Sequence, residues 1–306
     1  MKKFLFALAA IAILTACKND DKNEPVDPIP DPDPVPTADT IKCANNAFTV
    51  VTYEETGLEV TTEVLKRNAV IEEYTGINCG YCPEDHKIVN DIMAEYPNQV
   101  FGINIHCGTY AANTYTTTEG NAYLGIATDL TGFPAGSVNR HSFSGKYTLN
   151  RGAFKQAAER LIAMDAPVNL AATAEIDKAT RTLTVKVRGY FTAAQTVASN
   201  SLYAFILQDN VIGQQGGASG NPDQIVEGGK YRHMHMLRTC ITGTWGQEIT
   251  NIAQGSSFNR TYTYTIPAQL GIKPIDAVLE DLKVVVCVAE GQKEILQIIE
   301  PEMKLK

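Results

Sequence analysis

Long apolar runs are scarce in this 306-residue chain. The one near its start, Phe4 to Leu14, is too short to cross a bilayer. Basic charge is scarce as well. Lys and Arg number 26 against 34 Asp and Glu, and the net charge of −8 argues against nucleic acid as a partner. A second Cys-x-x-Cys is missing, which leaves only single Cys and His residues to complete any zinc site. The one pair, Cys79 and Cys82, is followed by Pro83 rather than His, which excludes c-type haem attachment. Tryptophan occurs once, at Trp245. What is present is an ordinary globular composition, 44% hydrophobic and 20% charged, over a length that suits two domains.

Residues 1–16 read as a secretory signal: Lys2-Lys3, then the apolar run. The run ends in Leu14-Thr15-Ala16-Cys17, which resembles the lipobox of bacterial lipoproteins. That resemblance implies lipid on Cys17, which anchors the chain to a membrane, and a mature chain starting there. The other reading is ordinary cleavage with Cys17 left over. Setting Cys17 aside leaves six cysteines, an even number whose pairing sequence does not reveal. Cys107 and Cys287 lie in apolar, strand-like runs and read as buried thiols. Cys43 and Cys240 are a possible bridge.

Residues 17–40 read as a tether, since six prolines from Pro25 to Pro36 alternate with Asp27, Asp31 and Asp33. Such a stretch cannot bury a core and is expected to be extended. Residues 41–66 hold two short β-prone runs, Ala47 to Tyr53 and Leu58 to Leu65, split by Gly57.

Chemistry concentrates at Cys79-Gly80-Tyr81-Cys82. The apolar run Ala69-Val70-Ile71 leads into it through Glu72 and Glu73. Behind it, Ile88, Val89, Ile92, Met93 and Tyr96 repeat at helical spacing. The pair therefore sits where a buried strand turns into a helix. Free N–H groups and the positive dipole end at a helix start favour a thiolate.

Strand, Cys-x-x-Cys and helix, followed by Gly132-Phe133-Pro134 before another strand-like run, resemble the thioredoxin superfamily. The resemblance covers about one hundred residues, 67–166. It implies an α/β thioredoxin-like domain with a cis Pro134 beside the disulfide. It implies an exposed, attacking Cys79, a resolving Cys82, and Glu73 as the buried acid that moves a proton. Phe133 and Tyr81 would line the approach of substrate. Gly80-Tyr81 resembles the inner dipeptide of bacterial periplasmic disulfide isomerases. Asn78 stands where the family commonly has Trp, so the redox potential stays open. Within this segment Val100 to Cys107 reads as a strand, Asn121 to Leu130 as a helix, and Asn150 as the cap of a further helix. His106, at the end of its strand, is either a proton relay or structural.

Residues 167–306 change character. Val168, Leu170, Ala172, Ala174 and Ile176 alternate with their neighbours, as do Leu183, Val185, Val187 and Phe191. About seven such strands predict an immunoglobulin-like β-sandwich as a second domain. His233 and His235 share a face if Tyr231 to Arg238 is one strand; a structural or interface role is expected for them rather than metal binding. The lipobox, tether, Cys-x-x-Cys unit, His233-x-His235-x-x-Arg238 and Thr242-Gly243-Thr244-Trp245-Gly246 together resemble lipoproteins related to the 28-kDa outer-membrane protein of Gram-negative anaerobes.

Two functions are expected from these residues. One is a thiol–disulfide oxidoreductase or isomerase acting on exported proteins, with protein thiols and a redox partner protein as partners and no metal or organic cofactor. The other is a surface binding protein or adhesin in which the Cys79–Cys82 disulfide is a static staple.

Overall fold

A computed structural model describes residues 38–306; the leader, Cys17 and most of the tether lie outside the described residues. Two short strands come first, β1 (Ala38–Lys42) and β2 (Phe48–Thr52), paired as an antiparallel hairpin. The second β-prone run, Leu58 to Leu65, forms no strand. Next come β3 (Ala69–Thr75), α1 (Cys82–Glu95), β4 (Val100–His106), α2 (Gly108–Ala111), α3 (Thr118–Tyr123), β5 (Ala135–Val138) and α4 (Arg151–Ile162). Asn150 caps α4 as its sequence predicts, its side chain accepting from the Gly152 N–H. The helix expected over Asn121 to Leu130 is shorter and begins earlier, because the Thr117 side chain caps α3 by accepting from the Gly120 N–H.

The remainder is β-rich: β6 (Val168–Asp177), β7 (Thr182–Phe191), β8 (Asn200–Gln208), β9 (Val211–Gly213), β10 (Tyr231–His233), β11 (Met236–Cys240), β12 (Gln247–Ile249), β13 (Ser257–Thr265), β14 (Gln269–Leu270), β15 (Ile275–Asp276), β16 (Leu282–Glu290), β17 (Ile295–Ile299) and β18 (Met303–Leu305). Six strands form one sheet in the order β1-β2-β13-β7-β6-β18. Eight form another, running β17-β16-β8-β11-β4-β3-β5 with β12 also on β8.

The second sheet overturns the expected fold class. A thioredoxin-like α/β domain followed by a separate β-sandwich is not what forms. Among the described residues strand makes up 41% and helix 18%. β3, β4 and β5 are one end of a sheet whose other strands come from beyond residue 200, and β4 joins β11 in parallel at Asn104 and Met236. The physical reason lies in β8 and β16. Their side chains are buried on both faces, so they cannot belong to a sandwich with one wet face. On one face Leu202, Ala204, Ile206, Val284, Val286 and Val288 pack against Ile176, Val185, Val187 and Tyr262 of the six-stranded sheet. On the other, Tyr203, Phe205, Val285 and Cys287 share a core with Ile103, Ile105 and Tyr123.

Alternation along β3 places the site. Ala69 and Ile71 point to the face covered by α1 and α4, where Val89, Ile92, Phe154 and Leu161 meet them. By the same period of two, Glu73 and Thr75 point to that face and Glu72 to the opposite one. Glu72 there takes two hydrogen bonds from the buried Arg140 guanidinium, at 2.8 and 2.6 Å. No helix among the described residues is long and apolar enough to cross a membrane.

Candidate functional site

Cys79 and Cys82 form a disulfide with a Cα–Cα distance of 5.5 Å. Cys82 is the first residue of α1, Tyr81 is its N-cap and Pro83 sits within the first turn. Cys79 therefore lies just ahead of the helix rather than on it. Tyr81 is 68% exposed. The first turn carries two acids. Glu84 and Asp85 both pair with Arg151. Burial pushes the Asp85 carboxyl up to about 6, partly offset by Arg151.

The exposed attacking thiol expected at Cys79 is not found: only 2% of the residue is accessible. A strap, residues 214–220, covers it. The Gly216 N–H donates to the Ile77 carbonyl at 2.7 Å, and Gln215 Nε2 donates to the carbonyls of Gly76 and Cys79 at 3.1 Å each. Gly217 has φ of +68° and lies so close that a Cβ there would be 1.7 Å from the Gly80 oxygen. From the other side, the Asn78 N–H donates to the Tyr110 carbonyl at 2.9 Å. Beside the strap opens a cleft of about 600 Å³ lined by Ile77, Asn78, Gln214, Gln215 and Lys230.

The Phe133–Pro134 peptide is cis. Pro134 leads into β5, and the Phe133 ring packs on Tyr110 with centroids 5.4 Å apart. Phe133 thus reaches the disulfide loop through Tyr110.

A buried polar chain links β3, α1 and β10. Glu73 is fully buried, which holds its carboxyl well above the usual range, and Asp85 adds to the effect. Its Oε1 lies 3.3 Å from His86 Nε2. His86 is four residues past Cys82, hence one turn along the same helix face. Thr75 Oγ1 is 2.9 Å from the same nitrogen, and His86 Nδ1 is 2.8 Å from the Tyr231 hydroxyl. Burial, with His233 and His235 near, pushes His86 down to about 3. His106 and His233, far apart in sequence, meet with ring centroids 5.2 Å apart, and Tyr115 packs on both. Burial keeps both imidazoles neutral, His233 down to about 4 and His106 lower still than a free imidazole by a wide margin.

Sequence reasoning misses His86, Tyr231 and the strap. The i to i+4 step from Cys82 was the available signal for His86. His233 and His235 do not share a strand face: the strand breaks between β10 and β11, where His235 has φ of +52°. Asp209 engages the His235 backbone N–H at 2.6 Å. The possible Cys43–Cys240 bridge is absent; both are buried free thiols. Among the described residues, no three His, Cys, Asp or Glu side chains converge as metal donors.

A family profile, Outer membrane protein Omp28, matches residues 122–304, more than half of the chain. The chain belongs to the Omp28 family. This Omp28 member is an outer membrane lipoprotein. The match begins after the Cys-x-x-Cys segment, so the family assignment carries no information on the disulfide. Among solved structures, HBP35 of Porphyromonas gingivalis aligns with TM-score 0.60 and 21% identity, over 78% of this chain and 76% of that one. This shared fold is the second finding against a thioredoxin-like α/β domain. A domain of the outer membrane lipoprotein Omp28 from the same organism aligns with TM-score 0.30 and 18% identity, over 46% of this chain and 91% of that one. No curated protein matches.

Proposed function

We propose that this outer membrane lipoprotein is a thiol–disulfide oxidoreductase of exported proteins, anchored by lipid on Cys17. The observation that carries the reading is the Cys79–Cys82 disulfide at the start of α1, backed by the buried Glu73 carboxyl on the helix side of β3. In the reduced protein, the Cys79 thiolate attacks a substrate disulfide. A bond forms between Cys79 Sγ and one substrate sulfur, and the other leaves as a thiolate. Cys82, its proton passed to Glu73, then attacks Cys79 Sγ. The second substrate sulfur leaves as a thiolate, and the Cys79–Cys82 disulfide forms. Return to the dithiol requires a partner protein that supplies a dithiol. Tyr81, Phe133 and Pro134 are assigned to the approach of the substrate chain.

One observation favours a second reading, a surface binding protein with a static staple: the burial of Cys79 under the strap. The discriminating experiment uses membrane-extracted protein, whose intact mass also reports lipid on Cys17. Cys82→Ala is expected to trap mixed disulfides with substrate proteins, and Cys79→Ala to trap none. Absence of trapping, with a disulfide that no thiol opens even after the strap is disrupted, establishes the staple instead.

A further inference from the structure

Trp245, the only tryptophan in the chain, stands 38% exposed at a cavity of about 310 Å³ that shares no lining residue with the cleft beside the strap. Its turn is fixed. Gly243 and Gly246 flank it with φ of +83° and +75°, and the Tyr123 hydroxyl donates to the Thr244 carbonyl at 2.8 Å. The Tyr123 ring meets the indole with centroids 5.8 Å apart. Three other segments complete the wall. Ala122, the buried Ile126 and Thr128 come from the end of α3 and the turn after it, Tyr147 from the loop before α4, and Gln292 and Lys293 from the turn joining β16 to β17. Asp129 anchors Tyr147 by accepting from its backbone N–H at 3.1 Å, and the Tyr203 hydroxyl donates to the Gln292 carbonyl at 3.3 Å. The lining thus combines an apolar, aromatic part with a polar part rich in donors. The Lys293 ammonium and the Trp245 indole N–H only donate, and Thr128, Tyr147 and Gln292 are able to. Among the described residues none of these five side chains makes a hydrogen bond or ion pair; Lys293 Nζ lies 5.9 Å from the centre of the Tyr147 ring. No carboxylate lines the cavity, although acids outnumber basic residues by 34 to 26.

We propose that this cavity is a binding site for a small aromatic carboxylate, which sets its ring against Trp245, Tyr147 and Ile126 and its carboxylate at Lys293 and Gln292. The volume is at the small end for ligand pockets, which run from about 300 to 1,000 Å³, and it suits a single ring with a short acidic arm. Aromatic walls favour an aromatic guest, because ring pairs gain attraction beyond the area they bury. Charge complementarity decides the other end: an anion meets an ammonium without an ion-pair partner, and no acid repels it. A carboxylate accepts as well from the Gln292 amide. An acidic sugar of the same size fits worse. Hydroxyls circle its ring, and those turned to Ala122 and Ile126 would lose water without gaining a partner. The inference is independent of the redox reading and involves no covalent step.

Titration of the membrane-extracted protein with phenylacetate tests this. Because Trp245 is the sole tryptophan, its emission reports this cavity alone, and calorimetry gives the affinity independently. The expected result is a saturable change in emission with phenylacetate, whereas acetate and glucuronate give none. The neutral phenylacetamide should bind about two- to fivefold more weakly, the factor for one exposed ion pair. Lys293→Ala should weaken phenylacetate by the same factor and leave phenylacetamide unchanged. Lys293 is exposed, so its loss leaves the core untouched. Trp245→Ala should weaken phenylacetate about tenfold or more by calorimetry. If that variant fails to fold, the Lys293→Ala and phenylacetamide comparison decides alone. The proposal is overturned if phenylacetate does not saturate, if glucuronate binds as tightly, or if Lys293→Ala keeps the preference for phenylacetate over phenylacetamide.

Discussion

Access to Cys79 depends on how firmly the strap is seated, and Gly217 is the position at which to unseat it. Gly217→Ala places a methyl group 1.7 Å from the Gly80 oxygen, in a backbone region that non-glycine residues rarely occupy. Neither backbone can yield by that distance while the strap stays down. Seating is maintained by three hydrogen bonds, one from the Gly216 N–H and two from Gln215 Nε2. At about 0.5–1.5 kcal/mol net for each, they hold the strap closed by roughly 1.5–4.5 kcal/mol. Since 1.4 kcal/mol is a factor of ten, the closed strap should slow chemistry at the disulfide by about ten- to a thousand-fold. The assay is the rate at which a water-soluble phosphine reduces Cys79–Cys82, followed by alkylation and mass spectrometry. Gly217→Ala should raise that rate within this range, and Gln215→Ala should raise it by a smaller factor. Gly132→Ala, whose added methyl meets only open space, is the neutral control. A wild-type rate in Gly217→Ala, with the fold intact by circular dichroism, would show that the strap does not control access.

Two further outcomes follow from buried charge. Glu72→Gln strips the counterion from the buried Arg140 guanidinium and is expected to cost about 3–5 kcal/mol in urea denaturation; joint replacement by Glu72→Leu and Arg140→Met should recover much of it, and equal losses in the single and double variants would refute the pairing argument. Asp85 titrates near 6 in the folded chain against about 3.9 unfolded, so between those values the folded state binds the extra proton. Its contribution therefore falls as pH rises from about 4 to about 6 and is level above. Asp85→Asn should flatten the wild-type stability profile over that window, and an unchanged slope counts against the burial of its charge.

The parts of the site that were legible in sequence share one property: their signal is local. Cys79, Cys82 and Pro83 define the start of α1, and Asn150 caps α4. Tyr231 and the strap gave no such signal, because each acts on an element more than 130 residues away and neither alters the periodicity of its own segment. The division of the fold failed for a related reason. The change to alternating strands at Val168 is real, as β6 and β7 have one face on the core. The run Leu202 to Leu207 does not alternate; it is apolar throughout and buried throughout, the mark of a strand covered on both faces. A strand of that kind needs a layer on each side. The six-stranded sheet supplies one, and the core shared by Ile103, Ile105 and Tyr123 supplies the other. Once β8 needs both, the Cys-x-x-Cys segment and the later strands cannot fold as separate bodies. His86 on α1 meets the Tyr231 hydroxyl at 2.8 Å, although β10 pairs with β9 in a small sheet of its own, so contact between the early and late segments extends beyond the eight-stranded sheet.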